Sequence, residues 1–256
     1  VVDAKVAYLG GFNIGDEYLG KGELGEWRDT HMKIEGNAVL TLQSRFFMDW
    51  NAVAKEKNRK DYAEAYFPIA DKKGNTAMQI VTSGPDDEDQ TIKMGFLKMI
   101  SQAKESIYIQ TPYFIPDESL HEMLKIAVLS GVKVKIMIPS KPDHPFVYRA
   151  TEYFAKDIVE YGAEVYMYQN GFLHSKVMVV DDEIVSVGTA NMDVRSFKLN
   201  FEINAFIYDR DVAEELIANF DEDQKNCIRA THDYFAKQSK WRKFKQAFSR
   251  LLSPIL

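Results

Sequence analysis

The sequence predicts an α/β fold, and three observations carry that expectation. Strand and helix signals alternate along the middle of the chain, a stretch at the amino terminus recurs 178 residues later, and 46% of the 256 residues are hydrophobic, enough for a substantial core. The apolar run 77–82 ends at Ser83-Gly84-Pro85 and reads as a strand. Ile92, Phe96, Leu97, Ile100 and Ala103 recur at helical spacing. Residues 107–110 read as a strand closed by Thr111-Pro112. Pro116-Asp117 opens a helix whose apolar positions are Leu120, Leu124, Ala127 and Val128, with Gly131 as its stop. Val132, Val134, Ile136 and Ile138 alternate as a strand up to Pro139, followed by a helix over about 146–161 and a strand over 164–168. Such a succession implies parallel strands joined by right-handed crossovers.

Composition narrows the functional classes. The net charge of -6 gives no global basic field for nucleic acid. The single cysteine, Cys227, excludes an intrachain disulfide and is expected as a thiol buried in a helix. The acids Asp86, Asp87, Glu88 and Asp89 are expected in a solvated loop, not at a metal site. No apolar run approaches the roughly 18–20 residues that span a bilayer.

The repeat is the most informative feature. Residues 1–14 align without gaps on 179–192, with Asp3 on Asp181, Gly10 on Gly188 and Asn13 on Asn191. Two copies imply two half-domains related by a pseudo-twofold axis. His174-Ser175-Lys176 precedes the second copy, so a histidine and a lysine are expected just upstream of Val1. A chain that opens inside a strand reads as trimmed.

His174 and Lys176 fall two apart on an expected strand over 173–180, which places them on one face, with Val177 and Val179 toward a core. Imidazole beside ammonium suits a phosphodiester: lysine holds a non-bridging oxygen, and histidine attacks phosphorus or protonates the leaving alcohol. Asp181, seven residues on, points toward a turn and is given a structural role. Glu202, a lone acid in an apolar strand, is expected to pair with His174. Asn191 is the expected extra donor to phosphate. His174, Lys176, Asn191, Glu202 and Asn13 are expected to converge on one pocket, with Asp3 and Asp29 grouped in the second half-site. His31-Met32-Lys33 also reads H-x-K but lacks the aspartate, because position 38 is Ala38. His31 is therefore expected to line the pocket or be structural, and His144 to line the entrance or cap the next helix.

His174-Ser175-Lys176-Val177-Met178-Val179-Val180-Asp181, with Gly188-Thr189-Ala190-Asn191 downstream, resembles the H-x-K-x4-D motif of the phospholipase D superfamily. Further stretches resemble the bacterial cardiolipin synthases within it: 8–18, Trp27-Arg28-Asp29-Thr30-His31, 111–117, 139–144 and Gly171-Phe172-Leu173-His174. The resemblance covers essentially the whole chain. It implies two phospholipase D-like α/β halves, the first truncated: a remnant at 1–75, the second half at 76–232, and a carboxy-terminal segment at 233–256. It implies transfer of a phosphatidyl group between two phosphatidylglycerol molecules through a phosphohistidine, giving cardiolipin at the bacterial cytoplasmic membrane. No metal or cofactor is needed, and nucleic acid is not expected as a partner. The first-motif histidine would be the nucleophile, His174 the general acid/base, and Asp29 would orient the absent histidine as Glu202 orients His174. A phosphodiesterase or nuclease of the same superfamily, or an inert lipid-binding fragment, are the competing expectations.

The 234–256 tail carries Lys237, Lys240, Arg242, Lys243, Lys245 and Arg250 and no acid. Trp241, Phe244, Phe248, Leu251 and Ile255 recur at helical spacing, which predicts a basic amphipathic helix. Its apolar stripe is expected to meet either an anionic membrane surface or the domain itself.

Overall fold

The computed structural model describes residues 1–69 and 72–253. In chain order the elements are β1 (Val6–Gly10), β2 (Trp27–Arg28), β3 (His31–Glu35), α1 (Ala38–Val53), β4 (Ala77–Ser83), α2 (Thr91–Gln102) and β5 (Ser106–Gln110). Then come β6 (Phe114–Ile115), α3 (Glu118–Leu129), β7 (Lys133–Pro139), α4 (Pro145–Tyr161), β8 (Glu164–Tyr168), β9 (Phe172–Leu173) and β10 (Val177–Val180). The chain ends with β11 (Ile184–Gly188), β12 (Met192–Asp193), α5 (Val194–Lys198), β13 (Glu202–Tyr208), α6 (Arg210–Gln224), β14 (Cys227–Arg229), α7 (His232–Ala236) and α8 (Lys240–Leu251).

The main sheet is mixed, in the order β14-β8-β7-β5-β10-β11-β13-β4. β5, β7 and β8 are parallel, as their helical crossovers require. β4 does not join that parallel run. It pairs antiparallel with β13 at the far edge, so α2 carries the chain across three strands to reach β5. Local signals terminate the elements. The Asp117 carboxylate accepts from the Leu120 backbone N–H at 3.0 Å and caps α3. Gly162, at φ 113°, ends α4 in the left-handed region that favours glycine. In the acidic loop, Asp87 accepts from the backbone and hydroxyl of Thr91, the first residue of α2.

Both faces of the sheet are covered. On one, α2, α3 and α4 bury Phe96, Leu120, Ile136, Phe154, Met178 and Val180. On the other, Ala7, Leu9 and Ile34 of the β1–β3 hairpin, with Val39 and Leu42 of α1, pack on Val177, Val179, Val185 and Val187. A strand buried on both faces has no polar alternation, which is why 177–180 reads Val-Met-Val-Val.

The repeat is visible in the backbone. Asp3 and Ala4 turn at φ 51° and 53°, and Asp181 and Asp182 both turn at 52°. Gly10 pairs with His31 across the first hairpin, and Gly188 with Asn204 across the second. A Cβ on Gly10 would stand 2.3 Å from the Thr30 carbonyl, and one on Gly188 would stand 2.3 Å from the Ile203 carbonyl. Only glycine permits this approach in either copy. Counting back from these registers, Asp29 and Glu202 occupy equivalent positions, each two residues before the partner of the hairpin glycine.

Two expectations are corrected. Cys227 is not in a helix: α6 ends at Gln224, and the thiol sits half-buried on the edge strand β14, donating to the Asp223 carbonyl at 3.3 Å. Asp3 does not belong to a half-site, because the five residues of β1 separate its turn from the Asn13 end. At roughly 3.3 Å per residue that is about 16 Å.

Candidate active site

The site forms where the two hairpins meet the parallel pair β2–β9. Pairing Trp27 with Phe172 and Arg28 with Leu173 brings Asp29 beside His174, and the His174 backbone N–H donates to the Arg28 carbonyl at 2.8 Å. The Arg28 guanidinium is held by Asp223, at 2.9 Å, which also accepts from Gln110. Residues 174–176 form an extended link between β9 and β10 and are not themselves a regular strand. The Ser175 hydroxyl reaches Thr30 at 3.2 Å, and Lys176 is buried.

The His174 ring bonds Asp29, Nδ1 to Oδ2, at 2.7 Å. A carboxylate accepts, so Nδ1 carries a proton and Nε2 is the nitrogen left for proton exchange. Asp29 is itself fixed by the Thr30 backbone N–H at 2.7 Å, and Gly11 leaves it room, since a Cβ there would lie 2.4 Å from Oδ1. Trp27 and Tyr18 flank the ring with centroids 5.0 and 5.6 Å away. Asn13 donates to the Tyr18 hydroxyl at 3.0 Å, and that hydroxyl lies 3.4 Å from His174 Nδ1. Burial holds the His174 imidazole below its ordinary pKa, with the Asp29 hydrogen bond opposing that and the Lys176 charge adding to it.

Here the expected pairing is corrected. Glu202 does not meet His174. Its carboxylate accepts from the Thr189 hydroxyl and from Asn200, and it acts on Lys176 through charge. Asp29 takes His174 instead, brought to it by the β2–β9 pairing.

Lys176 donates to the His174 carbonyl, and burial pushes its ammonium down to about 8, against the opposing charges of Asp29, Glu202, Asp193 and Asp143. Burial raises the Glu202 carboxyl and lifts Asp193 to about 6. Asn191 has a buried amide oxygen with no hydrogen-bond partner among the described residues. The Asp181 carboxylate accepts from the backbone N–H groups of Lys104, Glu105 and Ser106 at 2.7–2.9 Å, a structural role at the far end of β10. His31 opens β3 on an exposed face, its ring 6.3 Å from Phe12, and lines a groove with Asp29 and Lys33. His144 occupies the cap position of α4 but makes no side-chain capping bond.

The residue reading missed Tyr18, Trp27, Tyr113, Asp143 and Asp193 as site residues. Tyr113 donates to Asp143, whose charge acts on both His174 and Lys176. Neither residue stands out by period or spacing, and only the fold sets the 139–144 loop against Tyr113.

Lys176 also yields a stability test. Its ordinary pKa is 10.5 and its folded value about 8, so between these the unfolded state binds more protons. The burial penalty is full below pH 8 and lifts as pH rises toward 10.5. Lys176→Met is therefore expected to raise the unfolding free energy at pH 7 by about 1–3 kcal/mol, with the gain shrinking by pH 10. Urea denaturation at the two pH values measures it, and a less stable variant at pH 7 would contradict the reading.

A part-buried His-Asp pair stands beside a buried lysine on a mixed α/β sheet, and solved structures, one of them a phospholipase D family member, carry the same fold. Phosphatidylserine synthase of Haemophilus influenzae superimposes over 99% of this chain and 69% of its own, with TM-score 0.70 and 17% identity. Nuc of Salmonella typhimurium, a phospholipase D family member, covers 61% of this chain and 99% of its own at TM-score 0.53 and 21% identity. The chain belongs to the cardiolipin synthase PLD-like domain family, whose model matches residues 96–224. Cardiolipin synthase of Listeria welshimeri is 57% identical over the whole chain, and the major cardiolipin synthase of Bacillus subtilis 54%. The chain spans about half of these curated relatives, 53% of each.

Proposed function

We propose that the chain supplies one His-Lys half-site of a phosphatidyltransferase that converts two phosphatidylglycerol molecules into cardiolipin and glycerol at a bacterial cytoplasmic membrane. The observation that carries the reading is the 2.7 Å Asp29–His174 pair beside buried Lys176. In the first step a histidine of the other half-site attacks phosphorus. The bond to glycerol breaks, and protonated His174 gives its proton to the leaving oxygen. In the second step the now neutral His174 takes the proton of a second phosphatidylglycerol hydroxyl. That oxygen forms the new P–O bond while the P–N bond breaks. Lys176, whose ammonium is poorly solvated, gains a counterion when phosphate arrives. Asp29 stabilises the imidazolium of the first step, and burial keeps the ring a ready base for the second. Glu202, equivalent to Asp29, would orient the histidine of the other half. Nitrogen, ammonium and carboxylate perform every step of this scheme, without metal or cofactor.

The test uses an enzyme carrying both His-Lys pairs and labelled phosphatidylglycerol. His174→Ala is expected to lower cardiolipin formation by at least about 10²–10⁴-fold. Release of phosphatidic acid with no cardiolipin from the unaltered enzyme would instead mark a phosphodiesterase.

A further inference from the structure

α8 is docked the opposite way round from an ordinary amphipathic helix. Arg242, Gln246 and Ser249 line its inner face at helical spacing, with Gln246 and Ser249 buried. Arg242 and Gln246 are anchored by Glu152 of α4, only 1% exposed. It accepts from Arg242, from Gln246 at 3.1 Å and from Gln238 at 3.5 Å. A buried carboxylate without such donors is costly, so Glu152 dictates which face of α8 turns inward. The outward face is then the apolar one. Trp241 is 62% exposed and Leu251 70%, with Phe244 and Phe248 exposed between them. Ile255, the last position of the stripe, lies outside the described residues. Cations border the stripe: Lys240 and Lys237 are exposed, Lys245 sits over the Trp241 ring at 5.1 Å and Arg250 over Tyr153 at 5.4 Å.

We infer that this face of α8 is a membrane-docking surface that seats the protein on an anionic bilayer. An exposed row of aromatic and leucine side chains has no reason to be held outward by a buried polar anchor unless something apolar covers it. The cationic border, with no Asp or Glu from Tyr234 onward, matches a negatively charged lipid surface. The position also fits. Trp241 and Lys245 line a cleft with Pro142, Pro145 and Arg149, and the same loop carries Asp143, which bonds Tyr113 and acts on Lys176. Docking through α8 therefore brings the 139–144 loop, whose Asp143 bonds Tyr113, toward the lipid headgroups. The inference rests on the substrates being membrane lipids, but its test does not depend on turnover.

The experiment is vesicle co-sedimentation of the 256-residue chain with phosphatidylglycerol vesicles, compared with phosphatidylcholine vesicles. The parent is expected to bind the anionic vesicles, more weakly in high salt. Trp241→Ser with Phe244→Ser is expected to weaken binding at least about tenfold, equivalent to about 1.4 kcal/mol. Both residues are solvent-facing, and an unchanged circular dichroism spectrum verifies folding. Lys237→Glu with Lys240→Glu keeps the stripe and is expected to abolish the preference for anionic vesicles. His174→Ala should bind as the parent does, which separates docking from chemistry. Equal binding by the Trp241/Phe244 variant, or no binding by the parent, overturns the inference. So does a dimer in sedimentation velocity that this variant loses while vesicles are ignored.

Discussion

Asp29→Asn, made in an enzyme carrying both His-Lys pairs, is expected to slow cardiolipin formation about 10²–10⁴-fold with folding preserved. The amide keeps the size of the carboxylate, so Gly11 and the Thr30 backbone still accommodate it. What it loses is the negative charge 2.7 Å from Nδ1 and the acceptor that selects the Nδ1–H tautomer. Asp29 raises the His174 pKa against the lowering effect of burial, so its removal leaves only the more distant Asp143 charge to oppose the lowering. The limb of the pH–rate profile that belongs to His174 should therefore move to lower pH. Glu202→Gln should also slow turnover, but without moving that limb, because Glu202 acts on Lys176 and not on the His174 ring. If Asp29→Asn keeps the parent's rate and profile, the cross-half pairing is wrong. If Glu202→Gln alone moves the His174 limb, the acids have been assigned to the wrong partners.

Purified residues 1–256 are expected to form no cardiolipin. The two-step scheme needs a nucleophile and a separate acid/base on opposite sides of phosphorus. The sequence holds one H-x-K-x4-D motif, at His174, and His31-Met32-Lys33 lacks the aspartate. A dimer that set two His174 rings face to face would have to displace Tyr18 and Trp27, which pack on the ring. Trp27 is further tied by β2–β9 pairing. Supplying a second His-Lys pair on a further segment should give activity. Cardiolipin made by residues 1–256 and abolished by His174→Ala would show that a single half-site suffices.

Much of the architecture is legible in local pattern. β5, β7 and β8 announce themselves by apolar runs and by the helices between them, and α3 by its Pro116-Asp117 start and Gly131 stop. The site is legible in part. His174 and Lys176 stand out because imidazole and ammonium two apart have one chemistry in common, and the hairpin turn at Asp181 because its twin occurs at Asp3. Tyr18 and Trp27 carried no such signal, since an aromatic residue near a strand is more often packing than active-site wall.

The sequence by itself therefore determined the strand and helix periods, the repeat and the motif, because each is written in neighbouring side chains and in one repeated interval. Only the tertiary structure decided which acid serves which histidine. Asp29 and His174 are 145 residues apart, and the two-residue strands β2 and β9 that join them are too short to show any period. The orientation of α8 was decided in the same way. Helical spacing shows two faces, but the buried charge of Glu152, on another helix, selects the polar one for the interior and leaves the aromatic one outside.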